Sequence, residues 1–141
     1  MLKLREQTRD ERRRDLAQAL EAERILRQRV AHLQGEIEAT RQRTRSAGQG
    51  SVNIEELLNA RRYELLMKGE VTAVHTQLSQ VLAEIERRRQ VLLEADRDVK
   101  VLEKLHQLQA TQHAAEEQKR ENRQLDEAAL RGFTGRQEVT I

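Results

Sequence analysis

Apolar side chains recur at alternating steps of three and four residues through the first third of this 141-residue chain. A repeat of this kind is a heptad seam, and it predicts a helix that buries one face against another helix. Its weak members are one glutamate and two threonines. The seam consists of Leu16, Ala19, Glu23, Leu26, Val30, Leu33, Ile37, Thr40 and Thr44.

A second seam with the same spacing follows after a short interruption. Sustained over so many turns, a strict heptad repeat favours left-handed supercoiling over an ordinary amphipathic helix. The sequence therefore predicts a second long helix. Its seam positions are Leu57, Ala60, Glu64, Met67, Val71, Val74, Leu78, Val81, Ile85, Arg88, Leu92, Ala95, Val99 and Leu102.

The interruption between the seams, "SAGQGSVNIEEL", has the features of a tight connection. Gly48 and Gly50 permit a turn, and Asn53 with Glu56 forms a variant of the capping box that begins a helix. Val52 and Leu57 occupy the positions of a hydrophobic staple. A short connection between long amphipathic helices places them antiparallel. We therefore expect a single all-α unit spanning 1–141, an antiparallel coiled-coil hairpin with helix one at 2–45, a turn at 46–53, helix two at 54–131 and a flexible tail at 132–141.

The second helix is much longer than the first. Folding the chain near residue 49 pairs residues whose numbers sum to roughly 97, so helix one ends opposite about residue 95. Some 35 residues of helix two then extend ~50 Å further at ~1.5 Å per residue. We call this segment the overhang. An exposed apolar stripe usually marks an interaction surface, and the stripe predicted on the overhang contains Val99, Val101, Leu102, Leu105 and Leu108.

The composition agrees with long helices and argues against a transmembrane segment and a nucleic-acid surface. The chain has no Pro, Cys or Trp, one Tyr and one Phe, and 35% charged against 37% hydrophobic residues. It contains no apolar run long enough for a transmembrane helix. Its 26 Lys and Arg are interspersed with 24 Asp and Glu. The arginine runs 12–14 and 87–89 are bracketed by acidic residues, which favours a solvated, ion-paired face over a nucleic-acid surface.

The residues also argue against catalysis. No two of His32, His75, His106 and His113 are three or four residues apart, so no helical face presents a His pair to a metal. A two-helix seam offers no pocket that would shift carboxylate pKa values for acid–base work. We expect no enzyme activity, catalytic residue, metal, cofactor or small-molecule substrate.

The chain resembles the FliJ family of flagellar type III export proteins along essentially its whole length. The resemblance is carried by the connecting turn followed by "ELLNARRYELLMKGEV" and by the ending "VKVLEKLHQLQATQHAAEEQKRENRQLDEAALRGF". The chain departs from the family in its short N-terminus and in the lack of aromatic residues on the overhang.

The resemblance implies a non-enzymatic cytoplasmic component at the inner face of the cell membrane. Its fold would be similar to the central-stalk gamma subunit of rotary ATPases. Its partners would be the hexameric export ATPase, a membrane export-gate protein and export chaperones, with no nucleic acid. We expect the gate to contact Tyr63, Met67, Val71 and Val74. We expect the ATPase ring to contact Arg13, Arg88, Val99, Leu102, Leu105 and Leu108.

Two other interpretations stay open at this level. The seam residues would also suit a generic coiled-coil adaptor that homodimerises through its overhang. The arginine runs would suit a polyanion or anionic-membrane binder, whose affinity would fall steeply with salt. The choice between a flagellar and an injection-type apparatus is likewise open.

Overall fold

A computed structural model describes residues 1–47 and 53–139, with side chains described as far as residue 133. It contains two helices, α1 (Leu2–Ala47) and α2 (Ile54–Val139), which pack against each other along the length of α1. The predicted all-α hairpin with a longer second helix is therefore confirmed. Gly48, Gly50 and Val52 of the predicted turn lie outside the described residues.

The start of α2 follows from the residue before it. The Asn53 side-chain oxygen accepts a hydrogen bond of 3.1 Å from the Glu55 N–H, and the Asn53 carbonyl accepts the first helical bond from Leu57. Asn53 thus satisfies amide groups that have no partner within the helix. The predicted N-cap is present, with the bond made to Glu55.

Both helices extend further than the sequence suggested. α1 continues to Ala47, two residues past the expected end, and α2 continues through Gly132 to Val139 instead of ending near 131. Gly132 was expected to stop the helix, but no described glycine has a positive φ. Glycine permits a left-handed helix end without imposing one, and within a helix it costs only ~1 kcal/mol relative to Ala.

The register differs from the expected one by about six residues, so each residue of α1 faces a position about six residues further along α2 than expected. An ion pair of 3.6 Å joins Arg5 Nη1 to Asp98 Oδ2, and the Arg88 guanidinium donates a hydrogen bond to the Asp15 carbonyl. Paired residue numbers therefore sum to about 103, against the roughly 97 expected from a fold at residue 49. As a consequence α1 covers α2 as far as Leu102, and the overhang begins near residue 103.

The buried apolar residues of the described chain all belong to the two predicted seams. Buried Val30, Leu33 and Val74 form the central cluster, with Leu26, Met67 and Val71 packed against it. Thr40 is also buried, and its hydroxyl donates a 2.8 Å hydrogen bond to the Glu36 carbonyl. The other buried apolar side chains are Ala19, Ile37, Leu78, Ile85, Ala95 and Val99.

One charged seam residue is stabilised by cations from both helices. Glu64 Oε1 lies 2.7 Å from Arg41 Nε of α1 and 3.3 Å from Lys68 Nζ. The hydrogen bond from Arg41, followed by that from Lys68, holds the pKa of Glu64 below its ordinary value. The glutamate therefore links the two helices near the turn without burying an unpaired charge.

Acidification should weaken this link. Because the pKa of Glu64 is lower in the folded chain, its ion pairs stabilise the hairpin fully above the ordinary glutamate pKa of about 4.3 and lose this effect as the pH falls through the folded-state pKa. We expect Glu64→Gln to lower the urea midpoint at pH 7 and to reduce its decrease on acidification. The matched control is Glu103→Gln, beyond the reach of α1. Equal behaviour of the two variants at both pH values would contradict the assignment.

Candidate functional site

The overhang is the largest surface that α1 leaves uncovered. Every described side chain from 103 to 133 is exposed. From residue 103 to the end of α2 at Val139 the helix continues for roughly 55 Å at ~1.5 Å per residue. A helix of this length beyond the reach of α1 relies on its own propensity and side-chain pairs. Its described side chains, 103–133, are exposed on every face of the helix.

The apolar stripe of the overhang points in a different direction from the hairpin seam. If the seam continued from Val99 and Leu102, it would next reach His106 and Gln109, which are polar. The exposed apolar side chains are instead Val101, Leu105 and Leu108, spaced by four and three and centred about 100° around the helix from the seam. A partner on this stripe would lie beside the hairpin and would not simply extend α1.

Two of the ring-binding residues that were predicted on the overhang, Val99 and Leu102, belong to the hairpin instead. Val99 was expected to be exposed, yet its side chain is 1% exposed and is the most buried in the core. Leu102 is half-buried at the end of the seam. The expectation was wrong for Val99 because α1 reaches about six residues further along α2 than assumed. Leu105 and Leu108, at 48% and 53% exposure, have the predicted accessibility.

The two predicted arginines have different surroundings. Arg13 is exposed and pairs with Asp10 of its own helix at 3.8 Å. Arg88 is half-buried and donates a hydrogen bond to Glu84 of its own helix. It also donates one across the seam to the Asp15 carbonyl of α1. The hydrogen bonds from Arg87 and Arg88 hold the pKa of Glu84 below its ordinary value. Arg88 is thus engaged in joining the helices, whereas Arg13 is accessible.

The predicted gate-binding residues span the surface and the core. Tyr63 is exposed, and its hydroxyl donates a 3.4 Å hydrogen bond to Glu36 of α1. Met67 and Val71 are half-buried against the central cluster, and Val74 is one of its buried members. Of the four side chains, only that of Tyr63 is presented to solvent.

An exposed apolar surface beside Tyr63 is larger than the sequence reading suggested. Leu65 and Leu66 are 68% and 67% exposed, and Ile54 and Leu58 are also exposed nearer the turn. The heptad pattern could have predicted this surface, because all four residues fall outside the seam and yet are large and apolar. Leu65 and Leu66 lie about 100° apart on the outward side of α2, and we call them the outer patch; Tyr63 lies on the flank of the helix next to Leu66.

The structure also contains an open cleft of about 610 Å³ at the turn end of the hairpin. Small seam residues (Thr40, Thr44 and Ala60) line it beside Leu57 and Tyr63. Their side chains are too short to fill the space between the helices.

The described residues show no group of three or more His, Cys, Asp or Glu placed to hold a metal ion. Among them there is also no helix whose length and apolarity would allow it to cross a bilayer.

Comparison with known families identifies the hairpin. The family described as the flagellar FliJ protein matches residues 1–138, nearly the whole chain. The chain belongs to the FliJ family. As a FliJ family member it is a component of the flagellar export apparatus, which decides between the flagellar and injection-type alternatives. Neither the curated proteins nor the solved structures gave a match.

Proposed function

We propose that this FliJ family member is a non-enzymatic stalk of the flagellar export apparatus whose overhang engages the export ATPase ring. The observation that carries the proposal is the overhang itself, a helix that α1 leaves uncovered from residue 103 onward and that is exposed over its described side chains. A paired hairpin that continues as a single helix has the form of the central stalk in rotary ATPases, as the family resemblance implies.

The contact residues follow from exposure. Leu105 and Leu108 would pack against the ring, because they are the exposed members of the apolar stripe that lie beyond the reach of α1. Arg13 would add an accessible cation on the paired part of the hairpin that leads to the overhang. Val99 and Arg88 would act indirectly, by holding α1 against α2 where the overhang begins.

A second contact is proposed at the outer patch. Leu65 and Leu66 of the outer patch, with Tyr63 on the flank of the helix next to Leu66, would bind the membrane export gate, since aromatic and apolar side chains provide the anchors of typical interfaces. Met67, Val71 and Val74 would support this patch from the core. Export chaperones are further partners that the family resemblance implies, and the protein would work in the cytoplasm at the inner face of the membrane.

The proposal is tested by adding the full-length protein to the cognate export ATPase and measuring the mass of the complex and the rate of ATP turnover. We expect amounts well below one protein per ATPase subunit to promote ring formation and raise turnover, because one stalk would serve one ring. Bovine serum albumin at the same concentration is the control for crowding and adsorption.

If neither the mass of the ATPase complex nor its rate of ATP turnover changed, the proposed stalk role would be contradicted. If this protein alone then sediments as a stable dimer at micromolar concentration, the homodimerising adaptor becomes the better explanation. The exposed stripe of Val101, Leu105 and Leu108 would in that case be covered by a second copy.

A further inference from the structure

Two glycines lie at the same level of the hairpin, one in each helix. Gly35 is in α1 and Gly69 in α2, and their numbers sum to 104. This value falls between the sums for the Arg5–Asp98 and Arg41–Glu64 pairs, so the two residues are opposite each other along the axis. Each glycine lies midway between seam residues, on the outward side of its helix, and each is exposed.

Neither glycine is required by packing or by backbone geometry. A Cβ built on Gly35 or Gly69 would meet no atom within 4 Å. Neither has a positive φ. Alanine would fit both positions and would favour the helix. The glycines therefore weaken both helices at one level without any local compensation.

Threonine hydroxyls bond backbone carbonyls at this level, as they also do at other levels of both helices. The Thr40 hydroxyl donates to the carbonyl of Glu36, next to Gly35, and the Thr72 hydroxyl donates to the carbonyl of Lys68, next to Gly69. Such bonds compete for carbonyls that also accept the helical N–H bond, and they often bend helices. Each helix thus combines a glycine with a doubly engaged carbonyl beside it.

The core keeps the helices together here. The central cluster of Val30, Leu33 and Val74, supported by Met67 and Val71, spans this part of the hairpin. The inner faces of the two helices are well packed, whereas the glycines lie on their outward faces. Separation of the helices is therefore disfavoured, and bending of the pair is favoured.

We propose that the level of Gly35 and Gly69 is a hinge at which the two helices bend together. The hinge lies between the turn end, which bears the outer patch, and the end that bears the overhang. It would allow the two ends of the hairpin to change their relative direction while the core stays packed. This inference is independent of which partners bind either end.

Spin labels provide the test, since the chain contains no cysteine. Gln28 and Gln42 are exposed, lie on the outward face seven residues to either side of Gly35, and would be replaced by cysteine and labelled. Their labels would be ~21 Å apart along a straight helix. Double electron–electron resonance then resolves straight and bent populations in the otherwise native full-length chain.

We expect Gly35→Ala to lower the bent population about fivefold, as the helix propensity difference implies, and Gly35→Ala/Gly69→Ala to lower it about 25-fold. The decisive variant is Gly69→Ala alone. It changes the other helix, and a shared hinge requires that it also lower the bent population reported from α1 by about fivefold.

Gly132→Ala is the matched control, because it makes the same substitution in the overhang and should leave the distribution unchanged. A second label pair at Ala83 and Arg97 has the same spacing on a glycine-free part of α2 and should be narrow throughout. The hinge is overturned if the two label pairs give equal widths in the native chain. It is also overturned if Gly69→Ala has no effect on α1, which would leave two independent defects, or if Gly132→Ala acts as strongly.

Discussion

Replacing Leu33 with alanine should lower the free energy of unfolding of the hairpin by about 3 kcal/mol. The Leu33 side chain is 5% exposed and lies in the central cluster with Val30 and Val74. Truncation removes buried methyl groups and leaves a space that two rigid helices cannot easily close. Urea unfolding followed by circular dichroism at 222 nm measures the loss.

Leu82→Ala is the matched control for this loss. It makes the same chemical change in a helix, but the Leu82 side chain is 41% exposed, so little burial is lost. We expect its free energy of unfolding to fall by less than about 1 kcal/mol. If both variants lost the same amount, the hairpin core would not be where the structure places it.

The identity of the core could be predicted because helix geometry fixes it. A spacing of three and four residues places side chains on one face of a helix whatever the partner is. The buried positions, from Ala19 to Val99, all come from the two seams. The N-cap at Asn53 was predictable for a similar reason, since its side chain acts on amides only a few residues away.

The register could not be predicted to the same accuracy. Seams of similar apolar character remain complementary when one helix slides past the other, so the heptad pattern constrains the pairing weakly. The alignment is marked by interhelical contacts such as Arg5–Asp98 and Arg41–Glu64, which no spacing rule identifies among so many charges. An error of about six residues was enough to move Val99 from the expected overhang into the core.

The error in register also explains why only part of the candidate site was predicted. The existence of an overhang depends on the difference in helix length, which the sequence shows directly. Its starting residue depends on the register, and the accessible apolar residues therefore had to be read from the structure. Leu65 and Leu66 were not among the predicted contacts because they fall outside the heptad seam, which identifies only the buried face of the helix.

The largest effect on binding is expected from Leu105→Glu/Leu108→Glu. Both side chains are exposed on one face of the overhang and lie beyond the reach of α1. Loss of an apolar anchor from an interface typically costs ~2 kcal/mol, so two should weaken binding to the ATPase ring about a thousandfold. The helicity and urea midpoint of the hairpin should be unchanged, which distinguishes this pair from any substitution at Val99 or Leu102.

The control for added charge is Gln107→Glu/Ala110→Glu. It introduces the same two negative charges three residues apart into the same turns of the overhang, but on the opposite face of the helix. Affinity for the ring, measured by sedimentation with the ATPase in its nucleotide-bound form, should then stay within about tenfold of the native value. If both double variants bound equally weakly, the ring would be responding to charge. If both bound normally, the ring would hold some other surface. The apolar stripe is the ring-binding surface only if the Leu105→Glu/Leu108→Glu variant alone loses affinity for the ring. Added charge, helix and distance from the hairpin are matched between the two variants.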